Sequence, residues 1–169
     1  MQQTERFFRY MQRVENDQLA AGDDSYLVHT SPEGGLDTVG YGHKLNVLEK
    51  SINTVYGFDL DTLTREQCDY ILSMDIEQVA SNLAGIVPAW KKRSQRQQEM
   101  LVDMQFNVGN VERTFPKFYQ AVLKNDIEGQ RKEYKRFYTD KLGIKRELKR
   151  RNRFFYSRYL SPEALREWG

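Results

Sequence analysis

The chain has 169 residues and a mass of 20.0 kDa, the size of one compact domain rather than two. Hydrophobic residues make up 39% of it and aromatic residues 12%, which excludes a disordered chain, while a mean hydropathy of -0.76 without a long apolar run excludes a membrane-spanning helix. The net charge is only +2, but residues 131–153 hold 11 Lys and Arg against 3 Asp and Glu, a local charge of +8 that is typical of proteins that meet an anionic polymer.

The first predicted element is an amphipathic helix that follows Thr4, a plausible N-cap. Its apolar residues recur at helical spacing, and the stripe consists of Phe7, Phe8, Met11 and Val14. Glu15 is the next residue on that stripe, so a carboxylate closes an otherwise apolar face. Taken alone, Glu15 has a simpler interpretation as the solvated end of the face.

A loop and a β-hairpin are predicted next. Residues 16–25 are small and polar, and they indicate a loop. Strand-like runs at 26–29 and 36–43 flank a Pro- and Gly-containing turn at 30–35. Pro32 cannot donate to a strand ladder and the glycine pair tolerates positive φ, so the turn has a physical basis.

Everything after the hairpin is predicted to be helical. A capping box at 64–67 opens a long helix that ends near residue 84. Further apolar stripes follow, one of them ending at Gly109, and residues 161–163 open a short last helix. Three aromatic residues of this part are expected to lie in the core: Phe106, Phe137 and Tyr138. The predicted class is α+β, with a small N-terminal lobe, a long connecting helix, a helical C-terminal lobe and a cleft suited to a polymer.

A helix-borne Glu15 facing a hairpin is a coherent general acid, because removal from water disfavours a charged carboxylate. Glycosidic bond cleavage needs such a proton donor and a second group that stabilises the oxocarbenium ion or activates water. The two histidines, His29 and His43, and the single Cys68 do not form a zinc pattern, and no cofactor is expected.

Residues 38–43 read Thr-Val-Gly-Tyr-Gly-His, and in combination with the helix-end Glu15 they resemble the T-even phage lysozymes and related endolysins, glycoside hydrolase family 24. Further segments are similar to the same family: 63–67 with 74–76, 104–109 with Phe115, and 136–138 with 150–151. The resemblance covers about residues 5–160.

The resemblance implies a single lysozyme-like domain over residues 1–169. It has an N-terminal lobe at about 13–63, an interlobe helix at about 64–84 and a C-terminal lobe at about 85–169, on which the first helix packs. Glu15 would be the proton donor, and the hydroxyl of Thr38 would position a water or contact the sugar. Glu33, Gln105 and Asn107 would bind substrate. His43 would form a structural ion pair with Asp75.

The sequence departs from the family pattern at the third catalytic position, an Asp at the end of the first hairpin strand. His29 stands nearest that place and is favoured as a base or a water-positioning group. The alternatives left open are carboxylates of the hairpin or of the preceding loop: Glu33, Asp37, Asp23 and Asp24.

The implied function is a peptidoglycan-degrading muramidase that hydrolyses the β-1,4 bond between N-acetylmuramic acid and N-acetylglucosamine. A lytic transglycosylase, which needs no second carboxylate, and a non-catalytic wall-binding or virion module are the alternatives. The expected context is a monomeric phage endolysin that is synthesised without an export signal in the host cytoplasm, is released by a separate holin and acts on the wall in the periplasm. Peptidoglycan is the expected partner and nucleic acid is not.

The basic residues 131–153 indicate a solvated face or, as a second interpretation, a contact with an anionic wall or membrane.

Overall fold

A computed structural model describes residues 3–30, 37–46, 48–49 and 56–169. Its contacts divide the chain into two compact units, Gln3–Gln78 and Val79–Gly169, here called the first and second unit. The elements are α1 (Glu5–Glu15), α2 (Asp17–Ala21), β1 (Val28–Thr30), β2 (Asp37–Val39), β3 (His43–Lys44), α3 (Arg65–Ile86), α4 (Gln95–Val108), α5 (Val111–Thr114), α6 (Pro116–Leu123), α7 (Ile127–Glu133), β4 (Phe137–Thr139), β5 (Lys145–Glu147), α8 (Lys149–Phe155) and α9 (Pro162–Trp168).

Helix α1 forms as predicted. The hydroxyl of Thr4 accepts a hydrogen bond from the Phe7 backbone N–H at 3.1 Å and caps the helix. The buried face includes Phe7, Met11 and Val14, and the helix ends at Glu15. The burial of this stripe sets the direction in which the last turn of the helix points its carboxyl group.

The predicted loop at 16–25 is wrong for its first half, where one helical turn, α2, forms instead. Asn16 breaks α1 with an extended backbone, and its side-chain oxygen accepts from the Leu19 N–H at 3.1 Å and so caps α2. Leu19 is fully buried, and Gly22 ends the turn with φ +114°. This turn has five residues and one large apolar side chain, Leu19, too few for a helical periodicity of its own.

The hairpin is confirmed as antiparallel strands, but it has a third strand that was not predicted. Strands β1, β2 and β3 form one sheet in that order, with His29 opposite Thr38 and Val39 opposite His43. The predicted second strand is broken because Gly40 and Gly42 adopt positive φ and turn the chain between β2 and β3. The predicted hairpin turn falls largely on residues 31–36, outside the described residues.

The capping box that opens α3 is confirmed. The Thr64 hydroxyl accepts from the Gln67 N–H at 3.3 Å, and the Gln67 side-chain oxygen accepts from the Thr64 N–H at 2.8 Å. The helix continues to Ile86, slightly beyond the predicted end, and the boundary between the two units falls inside it.

The contacts group helix α1 with the first unit, whereas the resemblance implied that this helix packs on the C-terminal lobe. Gln12 of α1 donates to the Tyr41 hydroxyl and to Asp69 of α3, and Gln3 accepts from the Ser73 hydroxyl at 3.1 Å. These polar contacts hold α1 against the sheet turn and the start of α3.

The second unit contains α4, on which every residue from Arg96 to Gln105 is buried. Buried charge on this helix is compensated inside the unit. Asp103 pairs with Arg136 at 3.0 Å, and Glu99 pairs with Arg158 at 2.6 Å. The predicted stop at Gly109 is confirmed, as is the last helix, whose N-cap Ser161 accepts from the Ala164 N–H.

A second hairpin, β4–β5, contradicts the prediction that the chain is helical throughout its last third. Two aromatic residues of this hairpin were expected in the core, but Phe137 is 44% exposed and Tyr138 is 50% exposed. The third, Phe106, lies on α4 and is half-buried. The physical reason is a tight turn built on Asp140 and Gly143, which reverses the chain and projects the strands into solvent.

Among the described residues, no helix combines the length and apolar composition needed to cross a bilayer.

Candidate active site

The proposed acid, Glu15, is the last residue of α1. Its side chain is half-buried, and its Oε1 atom is shielded from solvent. The other carboxylate oxygen, Oε2, lies against the sheet turn: a Cβ built on Gly42 would stand 4.0 Å from it. The end of α1 therefore presents a carboxyl group to the turn between β2 and β3, as the sequence motif predicted.

Asn16 fixes this juxtaposition. Its Nδ2 donates to the Gly40 carbonyl at 3.0 Å, while its own backbone N–H still donates to Gln12 and closes α1. One buried side chain thus joins the helix end to the sheet turn in the residue directly after Glu15. Sequence analysis missed Asn16, although an Asn at a helix end is a recognisable capping signal.

Gly40 and Gly42 have different tasks in the sheet turn: Gly40 allows close packing, and Gly42 leaves space beside Glu15. Gly40 has φ +54°, and a Cβ there would lie 2.9 Å from the Cβ of Cys68 on α3. Gly42 has φ +92°, and its missing side chain leaves the space beside Glu15 open. Cys68 is buried, and burial raises the pKa of its thiol to about 11, so it is an inert packing residue.

Thr38 lies in the central strand β2 and is only 4% exposed. His29 is its backbone partner in β1, and Lys44 is its partner in β3. The structure thus brings the two sequence-predicted residues Thr38 and His29 to one register position of the sheet. A hydroxyl as buried as that of Thr38 suits a single bound water better than a broad sugar contact.

The remaining candidates for the second group divide into two kinds. Glu33 lies outside the described residues, and Asp37 is described only as the first residue of β2, paired with Thr30. The loop aspartates have structural partners: Asp23 accepts from Ser25 and caps the following 3-10 turn, and Asp24 pairs with Arg65 at 2.6 Å.

His43 forms the ion pair with Asp75 that the resemblance implied, with Nδ1 and Oδ2 2.9 Å apart. Its other ring nitrogen, Nε2, lies 3.2 Å from Oε1 of Glu49, a partner that sequence analysis missed. A neutral imidazole has one N–H, so both carboxylates receive a hydrogen bond only from the protonated ring. Burial lowers the pKa of His43, but Asp75 and Glu49 outweigh it, and the pKa is raised above its usual value.

Glu49 is itself held by three groups. Its Oε2 accepts from the Asn46 N–H at 2.8 Å, and the Asn46 side chain accepts from the Glu49 N–H in return. The Tyr56 hydroxyl donates to Oε1 at 2.9 Å. Burial raises the pKa of Glu49. The hydrogen bonds from Asn46 and Tyr56, together with His43, lower it by more, so the pKa lies below its usual value. The Asn-x-x-Glu spacing at 46–49 is the capping signal that would have found it.

Gln105 and Asn107, the predicted substrate-binding residues, belong to the second unit on α4. The Gln105 side-chain oxygen accepts from the Val111 N–H at 2.8 Å and so joins the end of α4 to α5. Asn107 is exposed, not an ordinary buried amide. In the part of the chain that the structure describes, no three His, Cys, Asp or Glu side chains lie close enough together to hold a metal ion.

Comparisons with known proteins bear on this arrangement. The family model for phage lysozyme matches residues 24–153, a range that begins after Glu15. A solved structure, the muramidase domain of SpmX from Asticaccaulis excentricus, has the same fold with a TM-score of 0.61 and 17% identity, over 94% of this chain and 97% of that one. The search of curated proteins finds no match. Because the family model covers well over half of its length, the chain belongs to the phage lysozyme family.

Proposed function

We propose that this chain is a muramidase that hydrolyses the β-1,4 bond between N-acetylmuramic acid and N-acetylglucosamine in peptidoglycan. The observation that carries the proposal is the carboxyl group of Glu15, which ends α1 against Gly42 in a member of the phage lysozyme family. A protonated carboxyl at that point is available to a glycosidic oxygen, which must receive a proton as the bond breaks.

The proposed mechanism gives each residue one task. Glu15 protonates the leaving oxygen, and Asn16 holds the helix end in place through its bond to the Gly40 carbonyl. Thr38 positions the attacking water, and His29, its partner in the sheet register, acts as the base. In this assignment the Glu15 carboxyl is the general acid, and oxocarbenium-like charge develops on the sugar between the two groups.

The activity test compares the wild type with Glu15→Gln, which keeps the size of the side chain and removes the acid. Clearing of permeabilised Gram-negative cells is expected to fall by at least about a hundredfold, the rate contribution typical of a positioned general acid. Glu5→Gln is the matched control, since Glu5 lies in the first turn of the same helix and is exposed. Equal clearing by the wild type and Glu15→Gln would contradict the assignment.

The second group is tested by single substitutions of the candidates: His29→Ala, Glu33→Gln and Asp37→Asn. Loss of clearing in His29→Ala alone is the expected result, and full activity of His29→Ala would transfer the role to whichever carboxamide variant is inactive. Because His29 must be unprotonated to act as the base and Glu15 must be protonated to act as the acid, we expect clearing to pass through a maximum as the pH rises.

A lytic transglycosylase is the second candidate, and it is favoured because the sequence lacks the Asp that the family pattern has at the end of the first hairpin strand. Such an enzyme needs one acid and base and no second carboxylate. Products with 1,6-anhydromuramic acid ends would decide for it. A non-catalytic wall-binding module would instead bind purified sacculi without reducing their turbidity.

The proposed biological setting is that of a monomeric phage endolysin. Its substrate is the peptidoglycan of the host wall, which it would reach after a separate holin opens the membrane. When the chain is expressed alone, we expect the host cells to stay intact. They should lyse once chloroform is added and opens the membrane.

A further inference from the structure

The β4–β5 hairpin is an exposed projection of the second unit. All three residues of β4 and the first two of β5 are exposed, as are residues 141–144 of the connecting turn. An isolated two-stranded hairpin is at best marginally stable in water. A hairpin open to solvent over so much of its length therefore needs support at its base and at its turn.

The base of the hairpin is anchored in the core. Arg136, directly before β4, is 1% exposed and pairs with the buried Asp103. Asn152 of α8 holds the Arg136 backbone from both sides: its side-chain oxygen accepts from the Arg136 N–H at 3.0 Å, and its Nδ2 donates to the Arg136 carbonyl at 3.1 Å. The Leu148 N–H also donates to that carbonyl. The strands thus leave the core from a fixed point.

The turn is ordered by Asp140. Its Oδ1 accepts from the N–H groups of Leu142 and Ile144, both at 2.9 Å, and its Oδ2 accepts from Arg146 at 2.9 Å. These donors hold the pKa of Asp140 below its usual value. The tip that they shape presents aliphatic side chains to solvent, since Leu142 is 81% exposed and Ile144 is 47% exposed.

The hairpin and the residues that flank it are rich in cationic side chains. Residues 135–153 hold nine Lys and Arg against two Asp and Glu, a net charge of +7. Most of these cations are exposed: Lys135, Lys141, Lys145, Arg146, Lys149, Arg150 and Arg153. The Lys145 ammonium lies 4.5 Å from the centre of the Phe137 ring, so a cation and an aromatic ring are presented together on one face.

We propose that the β4–β5 hairpin is a membrane-docking element that inserts Leu142 and Ile144 into the surface of an anionic phospholipid bilayer. The cations would pair with lipid phosphates, and Phe137 and Tyr138 would lie at headgroup depth, where aromatic rings are favoured. The aliphatic tip distinguishes this partner from an anionic polysaccharide or a nucleic acid. Those polymers stack on aromatic rings and attract cations, but they offer no hydrocarbon to exposed Leu and Ile side chains.

The first test is sedimentation of the full chain with vesicles made of equal parts phosphatidylglycerol and phosphatidylcholine, or of phosphatidylcholine alone. Binding is expected only to the anionic vesicles and should weaken with added salt. Leu142→Ser should weaken binding about tenfold, as should Ile144→Ser. The matched control is Ile86→Ser: Ile86 lies on α3 in the same unit and is 44% exposed, close to the 47% of Ile144.

Charge is tested separately. Lys141→Gln and Lys145→Gln should each weaken binding about fivefold. Lys117→Gln, an exposed lysine of α6 outside the basic segment, should leave it unchanged. Identical far-ultraviolet circular dichroism and melting temperatures for all variants establish that each difference is a difference in binding.

Insertion is measured directly with a probe at the tip. Cys68 is the single cysteine and is buried, so Leu142→Cys introduces one accessible thiol for an environment-sensitive fluorophore. A blue shift with anionic vesicles, absent for the same label on Ile86→Cys, is expected. Vesicle binding that is insensitive to Leu142→Ser and Ile144→Ser, or binding to teichoic acid or nucleic acid without binding to vesicles, would overturn the proposal.

Discussion

Gly40 shows why a single residue type is required at one point of the candidate site. Its φ of +54° lies in the left-handed region, and a Cβ would overlap the Cβ of Cys68. The carbonyl of the same residue receives the Asn16 bond that holds the end of α1. Gly40 therefore joins three elements of the first unit at a distance that no side chain permits.

We expect Gly40→Ala to lower the free energy of unfolding by more than the 1–2 kcal/mol that left-handed backbone alone costs, roughly 3 kcal/mol in total. Gly57→Ala is the control, because Gly57 has φ +83° and nothing within 4 Å of a built Cβ. Urea unfolding of both variants separates the two costs. Equal destabilisation would show that the contact with Cys68 contributes nothing.

His43 gives the first unit a stability that depends on pH. Its folded pKa is raised above the usual 6.5, so the folded state holds the proton more tightly than the unfolded state. The resulting stability is fully present below pH 6.5 and is lost as the pH rises through the folded pKa. Glu49 acts in a separate window: its lowered pKa adds stability that is lost in acid, below its usual 4.5.

Asp75→Asn should cost about 1.5–3 kcal/mol below pH 6.5, the value of a hydrogen bond to a charged group, and less at alkaline pH. The free energy of unfolding in urea, measured across this range, should therefore fall less steeply with pH than in the wild type. Glu77→Gln, an exposed substitution on the same helix, should follow the wild-type profile. Parallel profiles for Asp75→Asn and the wild type would remove the ion pair from the account.

At the scale of elements, the sequence predicts best what neighbouring residues decide. The caps at Thr4, Thr64 and Ser161 form as predicted, since each depends on residues within one turn. Helix α2 was missed because it is only five residues long and buries one large apolar side chain, Leu19, which leaves no periodic signal of its own. The β4–β5 hairpin was missed because its strands do not alternate between buried and exposed residues. The turn at Asp140 is the one feature that indicates it in the sequence.

The capping box of α3 is worth a measurable share of the stability of the helix. Thr64→Ala should lower the free energy of unfolding by about 1 kcal/mol, because the Gln67 N–H loses its acceptor. Thr62→Ala, an exposed change two residues earlier, should stay within about 0.5 kcal/mol of the wild type. Thermal or urea unfolding checks both, and equal effects would mean that the box adds nothing.

In the candidate site too, contacts between sequence neighbours were predictable and contacts between distant residues were not. Glu15 and the residues of the sheet turn were predictable, because the motif is continuous and the acid ends a periodic stripe. The bond from Asn16 to Gly40 spans 24 residues and leaves no periodic signal. The pairing of Glu49 with His43 likewise depends on how the chain returns after β3. The second catalytic group stays a prediction, since the sequence departs from the family pattern at that position.

At the scale of the whole molecule, the two units carry opposite charge. The first unit holds 6 Lys and Arg against 14 Asp and Glu, a net charge of -8, and the second holds 20 against 10, a net charge of +10. The sequence already indicated an acidic body with a basic C-terminal lobe, although the unit boundary lies inside α3 and no linker marks it. Association with anionic surfaces is therefore expected to depend on the second unit, while Glu15, the residue proposed as the acid, lies in the first.

The central claim is that Glu15 supports hydrolysis of the glycan. The most direct test digests purified sacculi in water enriched in the heavy isotope of oxygen and identifies the products by mass spectrometry. The wild type and Glu5→Gln should release fragments with the heavy isotope at new reducing ends, and Glu15→Gln should release almost none. Equal release of labelled ends by Glu15→Gln, or unlabelled anhydro ends from the wild type, would contradict the account.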